Sequence, residues 1–495
     1  MSIGRLIEER VGPALRVTWN GGDLSDDDLR ARVSRVAEQL AAPELRCVAS
    51  RLDNGPDWLI LDLALRRQGI AHVPVPTFFS PAQMAHALSD SGAQALVLSD
   101  QSAPPGDADI AVSQELAPGL RLWPLSAAAV ALPNGTACVT YTSGTTGAPK
   151  GVCLDEAALY QVAQSLAQAA QPLAPRRHLC LLPLSTLLEN VAGVYAALIA
   201  GAEIAVPHLA EIGYTGAAGL DVPTLLACLH RYRPESAIVV PQLLLALVMA
   251  AEHGAALPDS LRFLAVGGGR VGPALLARAQ AVGLPVYEGY GLTECGSVVC
   301  LNRPGAIRPG SVGQPLPHAR VTVVDDELWV EGVRCLGYLG ADTPAPGAIA
   351  TGDLGRIDED GYVYITGRRK NVFITAFGRN VSPEWIESEL LQHPMFAQAV
   401  VHGEAREFNV AVVWPRNPAL TDAQLRSALD QVNAQLPDYA QVRDIVRADA
   451  AFSALDGLMT SNGRPRRDAI FARYADAIEQ RYPSSSPPIE TGVPA

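Results

Sequence analysis

Short apolar runs alternate with longer Ala/Leu-rich stretches over most of this 495-residue chain. Runs of four to six residues that are rich in β-branched residues or leucine favour strands, and the longer stretches between them favour helices. This alternation is typical of parallel strands covered by helices, so we expect a large α/β unit. The runs that carry this prediction are Ala95–Leu98, Ala202–Val206, Ala237–Val240, Leu261–Val266 and Leu284–Tyr287.

The pattern changes between Gly310 and Tyr364. Within this stretch the strand-like runs are short and are separated by turn residues, as in Ala319–Val324, Glu327–Glu331 and Tyr362–Ile365. Short strands joined by turns predict a small antiparallel β region that is appended to the α/β body.

A second unit is expected after Lys370. A strand, a helix over Pro383–Gln392, a strand over Ala397–Val401 and a helix near Thr421–Leu436 predict a smaller, mobile α+β cap of about a hundred residues. The predicted division is therefore a large N-terminal domain over 1–369, a cap over 370–482, and a disordered Ser/Pro-rich tail over 483–495.

Charge and cysteine usage exclude several functional classes. A formal net charge of −13 argues against non-specific nucleic-acid binding, because such a surface repels phosphate backbones. The eight cysteines show no C-x-x-C spacing, so we expect reduced, buried thiols in a cytoplasmic protein. The longest apolar run, Ala237–Ala251, is too short to span a bilayer, and we expect no transmembrane segment or secretory signal; peripheral membrane contact stays open.

Lysine is almost absent from the chain. Lys150 and Lys370 are the only two lysines, whereas Lys and Arg together number 38. Lysine offers a compact charge on a flexible stem, and arginine offers a planar fork, so the two retained lysines mark positions with a chemical requirement.

Lys150 ends a loop with the composition of a phosphate-binding segment. Residues 141–151 read YTSGTTGAPKG and follow an apolar run that should form a strand. Glycines allow the backbone to approach an anion, and successive amides form a concave set of donors. The segment differs from the P-loop because Gly151 follows the lysine where Ser or Thr is required. The candidate phosphate contacts are Thr142, Ser143, Gly144, Thr145, Thr146, Gly147 and Lys150.

This segment resembles the phosphate loop of the acyl-adenylate-forming superfamily, which includes AMP-binding acyl-CoA synthetases, and further segments match the family in order from about Leu52 to Ile470. The resemblance implies that Gly267 and Gly268 border adenine and that Tyr290, in the motif that begins at Glu288, stacks on it. It also implies that Thr293 contacts the α-phosphate and that Glu294 holds Mg²⁺, a cation that prefers carboxylate oxygens. For the ribose and phosphates it implies Asp353 and Arg368.

The family resemblance also assigns roles in the cap. Lys370 is expected to be the hinge about which the cap turns between adenylation and thiol attack. Ala376, Phe377 and Gly378 are expected to line the pantetheine path. The length of the segment Asn371–Pro383 is closer to that in fatty and long-chain acyl-CoA synthetases than to that in amino-acid-activating domains.

One position departs from the family pattern. A lysine normally follows the glycine of the last motif and bridges the acyl carboxylate and the α-phosphate, but Arg464 follows Gly463 in this chain. Three interpretations are open: Arg464 performs this role, Arg466 or Arg467 replaces it, or adenylation is slow. Arginine keeps the charge and can bind oxygens bidentately, which favours the first.

The candidate acyl site is apolar. The stretch 181–190 lacks the aspartate that binds an α-amine in amino-acid-activating domains, and Thr186 stands where many CoA ligases have histidine. Glu189 either pairs with a cation or serves as a carboxylate at a helix N-terminus. Apolar walls between Gly193 and Gly201 and over 242–249 favour a hydrophobic fatty or aryl acid.

These features predict an AMP-forming acid–thiol ligase of the acyl-CoA synthetase type. It uses ATP and Mg²⁺ to make an acyl-adenylate and then transfers the acyl group to CoA, with Lys150, Thr293 and Arg464 as catalytic residues. Two alternatives are a ligase that loads the phosphopantetheine of an acyl carrier protein and a catalytically weak acyl or nucleotide binder.

Overall fold

The computed structural model describes residues 3–8, 15–100, 102, 113–126, 130–142, 150–215, 219–341, 347–377, 379–460 and 463–482. The chain forms two compact units, Met1–Thr366 and Gly367–Ala495. The predicted border after residue 369 lies three residues beyond this division. The predicted tail over 483–495 lies outside the described residues.

Strands occur throughout both units. In chain order, the first unit holds β1 (Arg16–Trp19), β2 (Gly22–Ser25), β3 (Cys47–Arg51), β4 (Ala71–Pro74), β5 (Ala95–Ser99), β6 (Gln114–Ala117), β7 (Leu120–Pro124), β8 (Thr136–Thr142), β9 (Lys150–Asp155), β10 (Arg177–Leu179), β11 (Glu203–Ala205), β12 (Tyr214–Thr215), β13 (Gly219–Leu220), β14 (Ser236–Val239), β15 (Phe263–Val266), β16 (Val286–Leu292), β17 (Ser297–Leu301), β18 (Gln314–Pro315), β19 (Ala319–Val324), β20 (Glu327–Gly332), β21 (Gly337–Tyr338) and β22 (Ile349–Ile357). Strand β23 (Val363–Arg368) crosses the border, and the second unit holds β24 (Phe373–Ile374), β25 (Asn380–Val381), β26 (Phe396–His402), β27 (Asn409–Pro415) and β28 (Val442–Arg447).

The helices lie between these strands. In the first unit they are α1 (Asp26–Gln39), α2 (Pro56–Gln68), α3 (Pro81–Ser91), α4 (Glu156–Ala170), α5 (Leu187–Glu189), α6 (Ala196–Ala200), α7 (Leu209–Ile212), α8 (Val222–Tyr232), α9 (Pro241–Glu252) and α10 (Pro273–Ala281). A π-helical turn, Asn190–Tyr195, joins α5 to α6. In the second unit they are α11 (Pro383–Gln392), α12 (Asp422–Asn433), α13 (Arg467–Arg473) and α14 (Ala475–Glu479).

Two large mixed sheets form the body of the first unit. Their strand orders are β18-β17-β16-β15-β14-β10-β11-β1-β2 and β21-β9-β8-β4-β3-β5-β7-β6. The five runs predicted to be parallel strands correspond to β5, β11, β14, β15 and β16, and each has a parallel neighbour. The predicted α/β class is therefore confirmed.

The apolar run Ala237–Ala251 forms a strand followed by a buried helix, as expected. Strand β14 ends at Val239, and Pro241 occupies the first turn of α9, where its missing N–H costs nothing. Leu244 and Leu247 are then fully buried against the sheet core. In the part of the chain that the structure describes, no helix is long and apolar enough to cross a membrane.

The predicted small β region is a four-stranded sheet in the order β19-β20-β22-β23. Strand β19 has the bounds expected from the sequence, and β19 pairs with β20 in antiparallel register through Val324 and Glu327. Asp325 and Asp326 form the two-residue turn with φ values of 48° and 61°, a left-handed conformation that aspartate tolerates better than most residues.

The second unit contains a three-stranded sheet, β26-β27-β28, packed against helices. Helix α11 has the predicted bounds and begins with Pro383, while α12 begins after Thr421, whose side chain forms a capping box with Gln424. Phe396 is fully buried at the centre of this core.

A buried polar network crosses the core of the first unit. Asp62 on α2 accepts hydrogen bonds from His72 Nδ1 at 2.7 Å, from Arg66 Nη2 at 3.2 Å and from the Tyr195 hydroxyl. Arg66 also donates to the carbonyl of Ala137 on β8. All of these side chains are inaccessible or nearly so, and the ion pairs and hydrogen bonds offset the cost of burying their charges.

The π-helical turn accommodates a second buried pair. Glu189 Oε1 lies 2.9 Å from His178 Nε2, and this pair fills the space beside Gly193. A Cβ at Gly193 would lie 2.3 Å from Glu189 Oε1 and 2.6 Å from His178 Nε2. The glycine is thus required by a close approach of polar atoms.

We expect Gly193→Ala to destabilise the protein by about 2 kcal/mol, because the added methyl displaces the His178–Glu189 pair from a packed core. Thermal denaturation followed by circular dichroism measures the effect. Gly267→Ala is the matched control, since its Cβ would meet nothing closer than 3.6 Å. Equal melting temperatures for the two variants would contradict the packing argument.

Candidate active site

The predicted phosphate loop joins two antiparallel strands. Thr142 ends β8 and pairs with Lys150, the first residue of β9. Thr142 Oγ1 donates to the Lys150 carbonyl at 3.5 Å, and the lysine is exposed. The other candidate contacts, Ser143, Gly144, Thr145, Thr146 and Gly147, lie outside the described residues.

Tyr338 connects Lys150 with the predicted magnesium ligand Glu294. The Tyr338 hydroxyl donates to Glu294 Oε1 at 2.7 Å, and Lys150 Nζ lies 5.8 Å from the centroid of the Tyr338 ring. Tyr338 belongs to β21, which pairs with β9, and Glu294 lies on a 3₁₀ turn with Thr293 directly after β16. No motif or periodicity in the sequence points to Tyr338.

The glycine-rich loop lies at the end of the parallel sheet. Val239, Val266 and Glu288 are in register on β14, β15 and β16. Strands β14 and β15 end at this level, whereas β16 continues to Leu292 and pairs with β17. Gly267 follows Val266, and its missing side chain leaves open space: the nearest atoms to an ideal Cβ would be Gly289 O at 3.6 Å and Leu188 Cδ2 at 4.0 Å. Gly268 has φ +77° and a similar open environment.

Glu288 is a buried acid with an unsatisfied oxygen. It is 8% exposed, and burial raises its pKa to about 8, with Arg270 opposing the shift. Among the described residues, none forms a hydrogen bond with its Oε2. An unpartnered buried polar atom costs free energy unless a ligand satisfies it, so this oxygen is a candidate binding position.

Tyr290 and Asp353 are brought together from separate sheets. The Tyr290 hydroxyl donates to Asp353 Oδ2 at 2.7 Å. Asp353 is buried in β22, where the pairing with β20 shifts register. The preceding Gly352 has φ +72° and donates its N–H to Glu327 Oε1 at 2.7 Å. The two residues that the family resemblance assigns to adenine and ribose therefore lie side by side.

The segment between β10 and α5 is held by two buried side chains. Glu189 Oε2 accepts the backbone N–H groups of Leu181 and Leu182 at 3.1 and 2.7 Å. Asn54 donates to the Leu182 carbonyl at 2.9 Å and accepts from the Leu184 N–H at 2.8 Å. Glu189 therefore binds a histidine ring and two backbone N–H groups that precede α5.

The predicted apolar walls lie largely in the core. Val194 and Leu198 from the first wall are fully buried, as are Leu244 and Leu247 from the second. Leu188 is instead partly exposed and reaches within 3.6 Å of the Cβ position of Gly268. Leu188 is the residue of this segment that the structure brings to the glycine-rich loop.

The described residues include one group with metal-ligating side chains outside the predicted site. His178, Cys180 and Glu189 are buried, with ligand atoms within 4.8 Å of one another. Their polar atoms are already engaged, because His178 Nδ1 lies 3.1 Å from Ser236 Oγ and Glu189 holds two backbone amides. Burial also raises the pKa of the Cys180 thiol well above its usual value, which disfavours the thiolate that metals require. We assign this group a structural role.

The candidate residues of the second unit occupy turns. Arg368 ends β23, and its carbonyl accepts the N–H groups of Asn371 and Val372 at 3.0 and 2.9 Å, which places Lys370 in a tight turn. Ala376 and Phe377 follow β24, and the Phe377 side chain is 73% exposed. Gly378 lies outside the described residues.

The three arginines near the last motif have different environments. Arg464 is exposed at a turn where Gly463 has φ +73°, and its N–H donates to Thr460 Oγ1 at 3.0 Å. Arg467 is committed to a bidentate pair with Glu387, with Nη1–Oε1 and Nη2–Oε2 distances of 2.6 and 2.5 Å. Arg466 is exposed directly before α13.

Comparison with family models shows to which family the chain belongs. Residues 10–339 match the AMP-binding enzyme family, and residues 370–486 match the AMP-binding enzyme C-terminal domain. The chain belongs to the AMP-binding enzyme family. Its predicted membership of the acyl-adenylate-forming superfamily is confirmed. The predicted enzyme class, an AMP-forming acid–thiol ligase of the acyl-CoA synthetase type that binds ATP, is confirmed with it.

Curated relatives match most of the chain. The long-chain-fatty-acid–CoA ligase FadD15 of Mycobacterium bovis is 28% identical over 86% of this chain and 86% of its own length. The 2-succinylbenzoate–CoA ligase of Bacillus subtilis is 28% identical over 76% and 79%, respectively. The fatty acid–[acyl-carrier-protein] ligase ScoC of Streptomyces coeruleorubidus is 28% identical over 79% and 81%.

A solved structure has the same fold. The anthranilate CoA ligase AuaEII in complex with anthranoyl-AMP aligns with a TM-score of 0.79 and 19% identity, over 96% of this chain and 98% of that chain. At this identity the similarity establishes the fold alone.

The raised pKa of Glu288 predicts a pH-dependent stability. The folded protein retains a proton on this carboxyl up to about pH 8, whereas an unfolded glutamate loses it near its ordinary value of 4.5. The stabilising effect of this proton is complete below pH 4.5 and is lost as the pH rises to 8. Glu288→Gln removes this loss, so relative to the wild type it should become more stable, by up to about 3 kcal/mol, between pH 5.5 and pH 8.5.

Thermal denaturation across this pH range measures the difference. Glu331→Gln is the control, because Glu331 is exposed, and its melting temperature should follow that of the wild type at every pH. A constant difference between Glu288→Gln and the wild type would show that Glu288 is ionised throughout.

Proposed function

We propose that this enzyme activates a hydrophobic carboxylic acid with ATP and transfers the acyl group to the thiol of CoA. The observation that carries the proposal is the stretch Glu288–Glu294. It presents a buried acid with an unpartnered oxygen, a tyrosine bonded to Asp353, and a carboxylate bonded to Tyr338 beside Lys150. These groups match the adenine, ribose and phosphate ends of a nucleotide.

The nucleotide would be oriented along this stretch. The open space beside Gly267 and Gly268 accommodates a flat base, and Glu288 Oε2 lies at the edge of the sheet from which this loop leaves. Tyr290 would stack on the base, and the Asp353 carboxylate would accept hydrogen bonds from ribose hydroxyls. Arg368 would add a ribose or phosphate contact.

The donor set at Glu294 fits a magnesium ion. Mg²⁺ prefers carboxylate and phosphate oxygens, and one oxygen of Glu294 is fixed by Tyr338 while the other has no hydrogen-bond donor among the described residues. When bound, the ion would neutralise charge on the phosphate oxygens. Lys150, Thr293 and the phosphate-loop amides would supply the remaining positive charge and hydrogen bonds.

The reaction needs no nucleophilic side chain. A carboxylate oxygen of the acid attacks the α-phosphorus, the bond to pyrophosphate breaks, and an acyl-adenylate forms. The thiol of CoA then attacks the acyl carbon, and AMP leaves. The protein contributes alignment and charge stabilisation, which Lys150, Thr293 and Arg464 would provide.

The acid is proposed to be uncharged beyond its carboxylate. Leu188 is the side chain of its segment that reaches the glycine-rich loop, where Val240 and Pro241 also lie. The charged residue of this segment, Glu189, already binds His178 and two backbone N–H groups. No cation is thus presented to bind a second acidic group from this segment. Fatty acids and aryl monocarboxylic acids both meet this condition, and one relative is named for long-chain fatty acids. The acid for which the 2-succinylbenzoate ligase is named has a second carboxylate and does not meet it.

Transfer to an acyl carrier protein is the second candidate, and the relative ScoC favours it. An acidic carrier requires unpaired cations, but several arginines of the second unit are ion-paired within it: Arg406–Glu479, Arg426–Asp444, Arg447–Asp422, Arg467–Glu387 and Arg473–Asp449. Residues 367–495 hold 14 basic and 15 acidic residues. CoA is therefore the preferred acceptor.

We also propose a cytoplasmic location, because all eight cysteines are free and buried.

The test is AMP formation from ATP with a panel of fatty and aryl acids, with CoA and a phosphopantetheine-loaded carrier protein supplied as competing acceptors. We expect acid-dependent AMP formation and acyl-CoA as the main product. A predominant acyl-carrier product would favour the second candidate. ATP binding without turnover on any acid would indicate a non-catalytic binder.

Arg464 should carry the adenylation role. Arg464→Ala should lower acid-dependent pyrophosphate exchange about 100-fold or more, because a positive charge near the transferred phosphoryl group is lost. Arg464→Lys should preserve or raise the exchange rate. Arg466→Ala is the matched control, since Arg466 is also exposed, and it should retain most of the activity. Arg467→Ala should instead reduce stability, since it leaves Glu387 buried and unpaired. Loss of exchange in Arg466→Ala alone would transfer the role to that residue.

Lys370 is proposed as the hinge of the second unit. Lys370→Pro fixes φ in the turn that follows Arg368, so it should slow thioester formation more than adenylation. Single-turnover assays of each half-reaction measure the two rates. Lys370→Ala, which leaves the backbone free, is the control, and equal losses in both half-reactions would contradict a hinge at this position.

A further inference from the structure

Tyr338 is held rigidly on the strand that carries Lys150. Its strand pairs with β9 through Tyr338 and Val152, and the flanking backbone bonds run from Leu336 N to Cys153 O at 2.8 Å and from Leu339 N to Gly151 O at 2.9 Å. The position of the Tyr338 ring is therefore fixed relative to β9.

Glu294 is held from the other side. Its 3₁₀ turn follows β16, and its carbonyl accepts the Cys335 N–H at 2.6 Å. The half-buried carboxylate receives the Tyr338 hydroxyl at 2.7 Å, and in the described ranges no other residue donates to it. One oxygen of Glu294 is thus fixed by a neutral donor.

The tyrosine also separates two opposite charges. Lys150 lies over the ring face, with Nζ 5.8 Å from the centroid, and it forms no ion pair with any described residue. A direct contact between Lys150 and Glu294 would neutralise both groups. The ring face attracts the ammonium, and the hydroxyl attracts the carboxylate, so a single side chain engages both ions at separate points.

We propose that Tyr338 is a positioning residue for the proposed adenylation reaction: its hydroxyl aims Glu294 at the magnesium ion of the bound nucleotide, and its ring keeps Lys150 available for the phosphates. The inference rests on the proposed function, because it requires an ATP site at Lys150 and Glu294. Partners that orient a metal ligand commonly contribute tenfold or more to metal affinity.

Equilibrium binding of ATP, measured by isothermal titration calorimetry over a range of Mg²⁺ concentrations, tests the hydroxyl. Tyr338→Phe retains the ring and should raise the Mg²⁺ concentration for half-maximal ATP binding about tenfold, while ATP affinity in EDTA stays unchanged. A magnesium dependence equal to that of the wild type would overturn the inference.

Tyr364→Phe is the matched control. The Tyr364 hydroxyl also donates to a carboxylate, Asp358 Oδ2 at 3.0 Å, and its ring also contacts a cation, with Arg356 Cζ at 3.8 Å from the centroid. This variant should bind ATP with the magnesium dependence of the wild type. An equal shift in both variants would attribute the effect to general loss of a tyrosine hydrogen bond and would overturn the inference.

A second variant tests the ring. Tyr338→Leu should let Lys150 pair with Glu294, so ATP affinity in EDTA should fall about fivefold, which a loss of the hydroxyl alone does not cause. Adding Glu294→Gln to this variant should restore the affinity in EDTA. Failure of the second substitution to restore it would overturn the separating role.

ATP binding by the wild type distinguishes failure of the proposed function from failure of the Tyr338 inference. If the wild type binds no ATP with or without Mg²⁺, the proposed function fails, and the inference fails with it. If the wild type binds Mg²⁺–ATP and Tyr338→Phe behaves identically, the inference alone fails.

Discussion

The parallel pairing of β14, β15 and β16 is the constraint on which the candidate site depends. Because Val239, Val266 and Glu288 are in one register, the ends of β14 and β15 lie level with the residue from which β16 continues into Gly289–Leu292. Loops at the carboxyl ends of parallel strands are where α/β proteins bind ligands. Backbone hydrogen bonds between these strands bring residues that are far apart in the chain to this edge of the sheet. Their side chains then determine what the edge can bind.

Buried polar side chains then fix the segments next to this edge. Glu189 holds the backbone before α5 and Tyr195 ends the π-helical turn, bonded to Asp62 of the network that reaches Ala137 on β8. The segment containing Leu188 and the strand leading to the phosphate loop are thereby tied to one network. Each buried charge in it has a partner, which makes the arrangement stable and intolerant of small shifts.

Local sequence patterns predicted strands such as β19 and helices such as α11, but they did not predict the side-chain contacts between such elements. The bounds of β19 and α11 follow from alternation, turn residues and a proline at the helix start, all of which are local signals. The contact between Asp62 and Tyr195 joins residues that are 133 positions apart, and the contact between Glu294 and Tyr338 joins residues that are 44 positions apart. No periodicity in the sequence predicts either contact. The predicted apolar walls show the same limit, since hydrophobic residues that pack into a core and those that line a cavity have the same composition.

The scarcity of lysine has a physical explanation at position 150. The Tyr338 ring separates a compact ammonium from Glu294. An arginine at this position would carry a planar fork with five donors, whose geometry favours a bidentate pair with a carboxylate such as that of Glu294. That pair would withdraw the carboxylate from a metal ion and the cation from a phosphate. At the last motif the requirement is different, because Arg464 is exposed in a turn beside Gly463 and an arginine there keeps the positive charge. Under the proposed function, lysine at position 150 therefore leaves the Glu294 carboxylate available to a metal ion and its own charge available to a phosphate.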